Sequence, residues 1–185
     1  MMKWFMTFGT VAMMALAWGQ PGWSRQDDPR LDDLFVLLAQ TEDPQQLGQI
    51  EQSIWVLWLD SGDDSLNLML QRGIQAMNQG DFPIALAAFN SVIETAPDFA
   101  EGWNKRATLY WLMGDYQASI DDIDKTLALE PRHFGALSGL SMIRSAQEKY
   151  EDAYQALKKM LEVHPRSPGV RARLKSLERY IGTDA

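Results

Sequence analysis

Three prolines, Pro97, Pro131 and Pro165, stand 34 residues apart, and the residues between them keep the same spacing. Ala85, Ser119 and Ala153 recur at that offset, as do Phe82, Tyr116 and Tyr150, and Met69, Trp103 and Leu137. Phe89, Ile123 and Leu157 extend the series. Gly80 and Gly114 also match, with Glu148 in the third place. A period this long restricts the chain to an array in which each unit is one supersecondary element. Each such unit buries its apolar face against its neighbours.

Each unit reads as two helices. Trp103, Ala107, Tyr110 and Trp111 recur at helical spacing. Gly114-Asp115 then breaks the helix in a tight turn. A second helix runs from Tyr116 through Ile120, Ile123 and Leu127 and stops before Pro131. Proline disfavours helix at the residue before it, so each proline closes one unit. The small residues Ala85, Ser119 and Ala153 let the second helix approach the first closely.

This pattern resembles the tetratricopeptide repeat, a helix-turn-helix unit of the form W-x2-L-G-x2-Y…A-x3-F…P. Trp103 and Tyr110 stand as the aromatic anchors of a first helix, and Gly114-Asp115-Tyr116 as its turn. Arg106 and Ala107 depart from the Leu-Gly of the pattern, and Ser119 replaces Ala. The first unit has Met69 and Ala76 in place of the aromatics but keeps Gly73, Ala85, Phe89 and Pro97. The third keeps Leu140, Ala153 and Pro165, with Arg144 where Tyr is expected. The resemblance implies an all-α, right-handed solenoid with three repeats within residues 64–165, at about 66–99, 100–133 and 134–167.

Two segments flank the repeats. Residues 29–63 are expected to form a helical hairpin, either a degenerate repeat or an N-terminal cap packed on the first repeat. Leu31, Leu34 and Leu38 give one helix its apolar stripe, and Ile50, Ile54 and Leu57 the other. Asp43-Pro44 is a good start for the second of them. Residues 166–185 are expected to form a capping helix, with Val170, Leu174, Leu177 and Ile181 covering the last repeat.

The resemblance also implies a site. First helices line the concave face of such solenoids, and that face binds a peptide or protein. Carried over position by position, the groove would comprise Asn67, Leu70, Gln71, Ile74 and Asn78 of the first repeat. The second repeat adds Glu101, Asn104, Lys105, Thr108 and Trp111, and the third Ser138, Gly139, Met142 and Ser145. Trp111 has two readings, an anchor facing the groove or a cover over the neighbouring hairpin. Some family members clamp a chaperone's C-terminal carboxylate with Lys, Asn, Asn, Lys and Arg. Here those places hold Leu70, Ile74, Lys105, Gly135 and Gly139. A carboxylate needs several convergent cations, so that clamp is not expected here.

Other chemistry is sparse. The net charge of -8 argues against non-specific nucleic-acid binding, which needs a basic footprint. The chain has no cysteine, and its two histidines, His133 and His164, fall at loops without a third metal ligand at suitable spacing. Trp55 and Trp58 share a helical face and read as core. Asp121, Asp122 and Asp124 sit early in a second helix, where they suit the helix dipole. No cofactor and no catalytic set is expected, and the chain reads as a binding module rather than an enzyme.

Residues 1–19, with Lys3, a short apolar run and Ala17-Trp18-Gly19, resemble a secretory signal peptide. Cleavage after Gly19 would deliver the chain to a bacterial periplasm or outside the cell. The alternative is an uncleaved inner-membrane anchor facing the periplasm. Residues 20–28 read as a flexible leader. Residues 20–63 carry nine acidic and two basic residues, and 166–185 carry five basic and two acidic. Opposite charge at the two ends leaves weak self-association, or a self-assembling structural protein, as a second possibility.

Overall fold

The protein is described by a computed structural model over residues 25–182. Among the described residues there are helices and no strands. They run α1 (Arg30–Gln40), α2 (Pro44–Trp58), α3 (Asp64–Asn78), α4 (Phe82–Thr95), α5 (Ala100–Met113), α6 (Tyr116–Leu129), α7 (Phe134–Ala146), α8 (Tyr150–Val163) and α9 (Val170–Ile181). The three repeats are α3–α4, α5–α6 and α7–α8, and α9 packs on α8. Residues 1–19, read above as a signal peptide, lie outside the described residues.

Local chemistry sets the helix ends. Asp43, Asp63, Asp81 and Asp115 each accept a backbone N–H of the following first turn. Within the repeats, the left-handed turn position is Gly80 at φ 78° and Gly114 at φ 79°. In the third repeat Glu148 takes that conformation, at φ 59°, without the freedom glycine has. Helix pairs approach closely. A β-carbon at Gly73 would lie 2.5 Å from the Phe89 ring, so only glycine lets α3 and α4 meet as they do. Ser119 does more than stay small: its buried hydroxyl donates to the Ala107 carbonyl at 2.7 Å.

The departure at Arg106 has a structural purpose. Its guanidinium forks onto Asp122 at 2.7 and 2.8 Å and donates to Asn90 at 2.8 Å. It also lies over the rings of Trp103 and Tyr110. One charged side chain thus joins α4, α5 and α6, and its hydrogen bonds to Asp122 hold it firmly protonated. Asp122 is therefore a buried ion-pair partner rather than a dipole-facing surface acid.

The α1–α2 hairpin does not cap the first repeat. Apart from Leu59 against the first-repeat core, its apolar face joins one core cluster with α7, α8 and α9. Leu31, Leu38, Ile54, Leu57 and Trp58 pack there with Phe134, Leu157, Met160 and Leu177. Ion pairs link the hairpin to the α6–α7 and α8–α9 loops. Asp32 meets Arg132 at 2.6 Å, and Glu42 meets Arg166 at 3.0 Å. Arg166 also donates to the Ala39 carbonyl at 2.6 Å. The leader is partly fixed as well. Gln26 donates to the Asp98 carbonyl at 2.7 Å and accepts from the Ala100 N–H at 2.9 Å.

Candidate functional site

The first helices α5 and α7 run side by side, and their facing surfaces divide into two parts. Toward their N-terminal ends the space is filled by α2. The Trp55 ring edge would lie 2.6 Å from a β-carbon at Gly135, and Lys105 sits over the same ring at 5.4 Å. Further along, a pocket of about 290 Å³ opens. Its floor is apolar, made by Ala107, Ile123, Ala136 and Ile143. Its walls carry Asn104, Thr108 and Trp111 from α5 and Ser138, Gly139 and Met142 from α7. Trp111 is 36% exposed and Met142 42%, two large apolar side chains left at a concave mouth.

Beside the filled part lies a buried polar network. Glu101 is fully enclosed and meets Lys105 Nζ at 2.7 Å. Its other oxygen takes Asn104 Nδ2 at 3.0 Å and His133 Nε2 at 2.9 Å. His133 also caps α7, because its Nδ1 accepts the Ala136 N–H at 3.0 Å. With Nδ1 accepting, the ring proton sits on Nε2 and is donated to Glu101. Burial pushes the Glu101 carboxyl up, but Lys105 and the hydrogen bonds from His133 and Lys105 outweigh it. The net effect holds Glu101 below the usual carboxylate range. The His133 ring stacks on Trp58, centroids 4.2 Å apart, so the network also anchors the hairpin. His164 is a second such anchor, with its Nε2 2.6 Å from Glu51 of α2. No group of three or more metal-binding side chains occurs among the described residues.

The structure brings six of the expected groove residues together: Asn104, Thr108, Trp111, Ser138, Gly139 and Met142. Lys105 is corrected, because its charge is taken by Glu101 and it does not line the pocket. The first-repeat set is not at the pocket either. Leu70 is 1% exposed and belongs to the core, and Ile74 packs against the same cluster. Asn67 is committed to the α2–α3 turn, accepting from Ser61 and donating to Asp60. Gln71 and Asn78 are exposed on α3, and Ser145 bonds back to the Ser141 carbonyl. Ala107, Ser119, Ile123, Gly135, Ala136 and Ile143 also line the pocket and were absent from the expected groove set. Ser119 and Ile123 come from the second helix α6, which a transfer along first helices does not include, whereas the others lie on α5 and α7 at positions that the transfer did not name.

The tetratricopeptide repeat pattern matches residues 70–133 and 104–170. A TPR repeat-containing protein of Rhizobium etli is 40% identical over 136 residues, covering 74% of this chain and 67% of its own. A tetratricopeptide repeat protein 36 homolog of Nematostella vectensis is 40% identical over 65 residues, 35% of this chain and 36% of that one. Among solved structures, the first TPR of Spaghetti (RPAP3), bound to an HSP90 peptide, superposes with a TM-score of 0.60 at 19% identity. It covers 63% of this chain and 93% of that one. The Sgt2 TPR domain from Aspergillus fumigatus gives a TM-score of 0.60 at 20% identity, covering 65% of this chain and 81% of its own.

Proposed function

This chain belongs to the tetratricopeptide repeat family, and on that premise we propose that it is a non-catalytic adaptor whose α5–α7 pocket binds a peptide or protein segment. The observation that carries the proposal is the open half of the concave face. There an apolar floor, two exposed apolar side chains and amide and hydroxyl groups converge on a space that no part of the described chain fills. Apolar anchors with a few placed polar groups are what a peptide-binding cleft needs. The Spaghetti (RPAP3) structure with its HSP90 peptide supports a peptide as the ligand class.

The chaperone-type carboxylate clamp is not part of this proposal. Of the five clamp positions, Leu70 is buried, Lys105 is paired and Gly135 lies under Trp55. Catalysis is not part of it either. The buried acids Glu101, Asp122 and Glu130 are each engaged by a basic side chain that holds the fold together. The proposed place of action is the bacterial cell envelope, with residues 1–19 removed on export. Their charge-poor apolar run supports that place. Intact-mass measurement of the native protein tests it: a chain beginning at Gln20 is expected, and a Met1 N-terminus in the cytoplasmic fraction contradicts it.

Binding is tested by crosslinking and pull-down from the native envelope, with wild type and Trp111→Ala compared side by side, both shown to be folded. A partner lost with Trp111→Ala is expected. A partner held equally by both removes the pocket from the interface.

A further inference from the structure

Arg173 of the capping helix α9 is a half-buried guanidinium near the pocket that has no acid beside it among the described residues. Its Nη1 donates to Ser138 Oγ at 3.1 Å and its Nη2 to Ser141 Oγ at 3.3 Å. Both acceptors are neutral hydroxyls on α7, and Ser138 is a wall of the pocket. Among the described residues no carboxylate forms an ion pair with Arg173, whereas Arg106, Arg132 and Arg166 each have one. Burial without a counter-charge pushes the Arg173 pKa below its ordinary value, with no acid to offset it. Arginine at a concave surface, half desolvated and bonded only to hydroxyls, is a poor structural device. Hydroxyls return only part of the hydration that the guanidinium has lost, and a carboxylate returns more.

The neighbouring charges point the same way. Residues 166–185, which contain α9, carry five basic and two acidic residues. Lys105, the other cation near the pocket, is already taken by Glu101. We propose that Arg173 and Ser138 form a subsite for an acidic side chain, Asp or Glu, of a partner peptide whose apolar residue fills the pocket beside Trp111. A side-chain carboxylate fits a lone guanidinium better than a chain terminus does. Arg173 is only partly buried, so a side-chain carboxylate bound there keeps part of its water shell and one guanidinium serves it, whereas an enclosed chain terminus needs several convergent cations. Asn104 completes the site. It lines the pocket with its Nδ2 held by Glu101, so its Oδ1 is the amide atom able to accept a peptide N–H.

This proposal rests on the pocket being the peptide site, so its test separates the two claims. The full chain is screened against a positional-scanning library of acetylated, amidated heptapeptides. The selected sequence is then titrated by fluorescence anisotropy against wild type, Arg173→Gln, Arg173→Lys and Trp111→Ala. The library is expected to select one acidic position and one apolar position. Replacing the selected Glu by Gln should weaken binding to wild type by roughly tenfold, the scale of a hydrogen bond to a charged group. The same peptide change should cost nothing further with Arg173→Gln, and part of the preference should return with Arg173→Lys. Thermal melts of each variant establish that it is folded, and the peptide substitution reports on Arg173 even without them.

Trp111-dependent binding with no acidic preference, or a preference that survives Arg173→Gln, overturns the Arg173 subsite and leaves the pocket standing. Sensitivity that follows a free C-terminus rather than the side chain also overturns it. So does concentration-dependent self-association abolished by Arg173→Gln, which would give the site to a second copy. Absence of any peptide binding overturns both claims.

Discussion

Gly135 and Gly139 stand one turn apart on α7, and their surroundings differ. A β-carbon at Gly135 would lie 2.6 Å from Trp55 Cη2 and 3.0 Å from its Cζ2. A β-carbon at Gly139 would meet only Ile123 Cδ1, at 3.6 Å, an ordinary contact. The first glycine, at the inner edge of the pocket, adjoins a stretch of the concave face that the chain closes with its own hairpin, through Trp55, Trp58, His133 and Glu101. The second belongs to a stretch left open, with Trp111 and Met142 at its mouth. Both stretches are built from the same two helices of the same repeats. Architecture alone therefore does not decide where a repeat surface binds. What decides is which part of the face the flanking segments cover.

The largest expected effect breaks the closed part. Glu101→Ala leaves Lys105 and His133 facing each other without the carboxylate between them. Removing one partner of a buried ion pair costs about 3–5 kcal/mol, read from urea unfolding. A loss within the range of a surface substitution would show that the network does not hold the hairpin. Its pH signature has a definite sign. A carboxyl held below its unfolded value gives stability that is full above the unfolded pKa of about 4.3. That stability is lost as pH falls through the folded value. Wild type should therefore lose stability more steeply than Glu101→Gln on acidification below that point.

The next effect is at Gly135. A methyl there forces Trp55 to move, and overpacking of this kind typically costs about 1–3 kcal/mol. Its melting temperature should fall. An unchanged melt would mean that the Trp55 ring is free to leave Gly135. Gly139→Ala, by contrast, enters open space and a helix that favours alanine over glycine. Its stability should stay level or rise by up to about 1 kcal/mol, while the added methyl narrows the pocket and lowers peptide affinity. Lower affinity with an unchanged melt is the signature that sharpens the comparison, and the reverse pattern would undo it.

How much of this was legible depended on where the informative residues stand. The repeats were legible because Pro97, Pro131 and Pro165 punctuate them and Gly80 and Gly114 mark their turns. Trp58 was read correctly as core, at 2% exposure. The placement of α1–α2 was not legible, since an apolar stripe announces burial but not the surface that buries it. His133 and His164 looked like loop residues without a purpose. Their partners, Glu101 and Glu51, are 32 and 113 residues away, and no local spacing joins them. Lys105 read as a groove cation for the same reason: the Glu101 that neutralises it was itself counted among groove residues. Arg173, bonded to two serine hydroxyls, lies beyond the repeats, where a transfer from repeat positions does not look.

The division of the face is tested most directly by urea unfolding of Trp58→Ala and Trp111→Ala, measured side by side in the full chain. Trp58 is enclosed and stacked on His133, so its truncation should cost about 3–5 kcal/mol. Trp111 stands at the open mouth, so its truncation should cost at most about 1 kcal/mol of stability, with the loss of on the order of 2 kcal/mol appearing in binding instead. Equal destabilisation by the two substitutions would show that Trp111 is core and that the face is closed along its whole length.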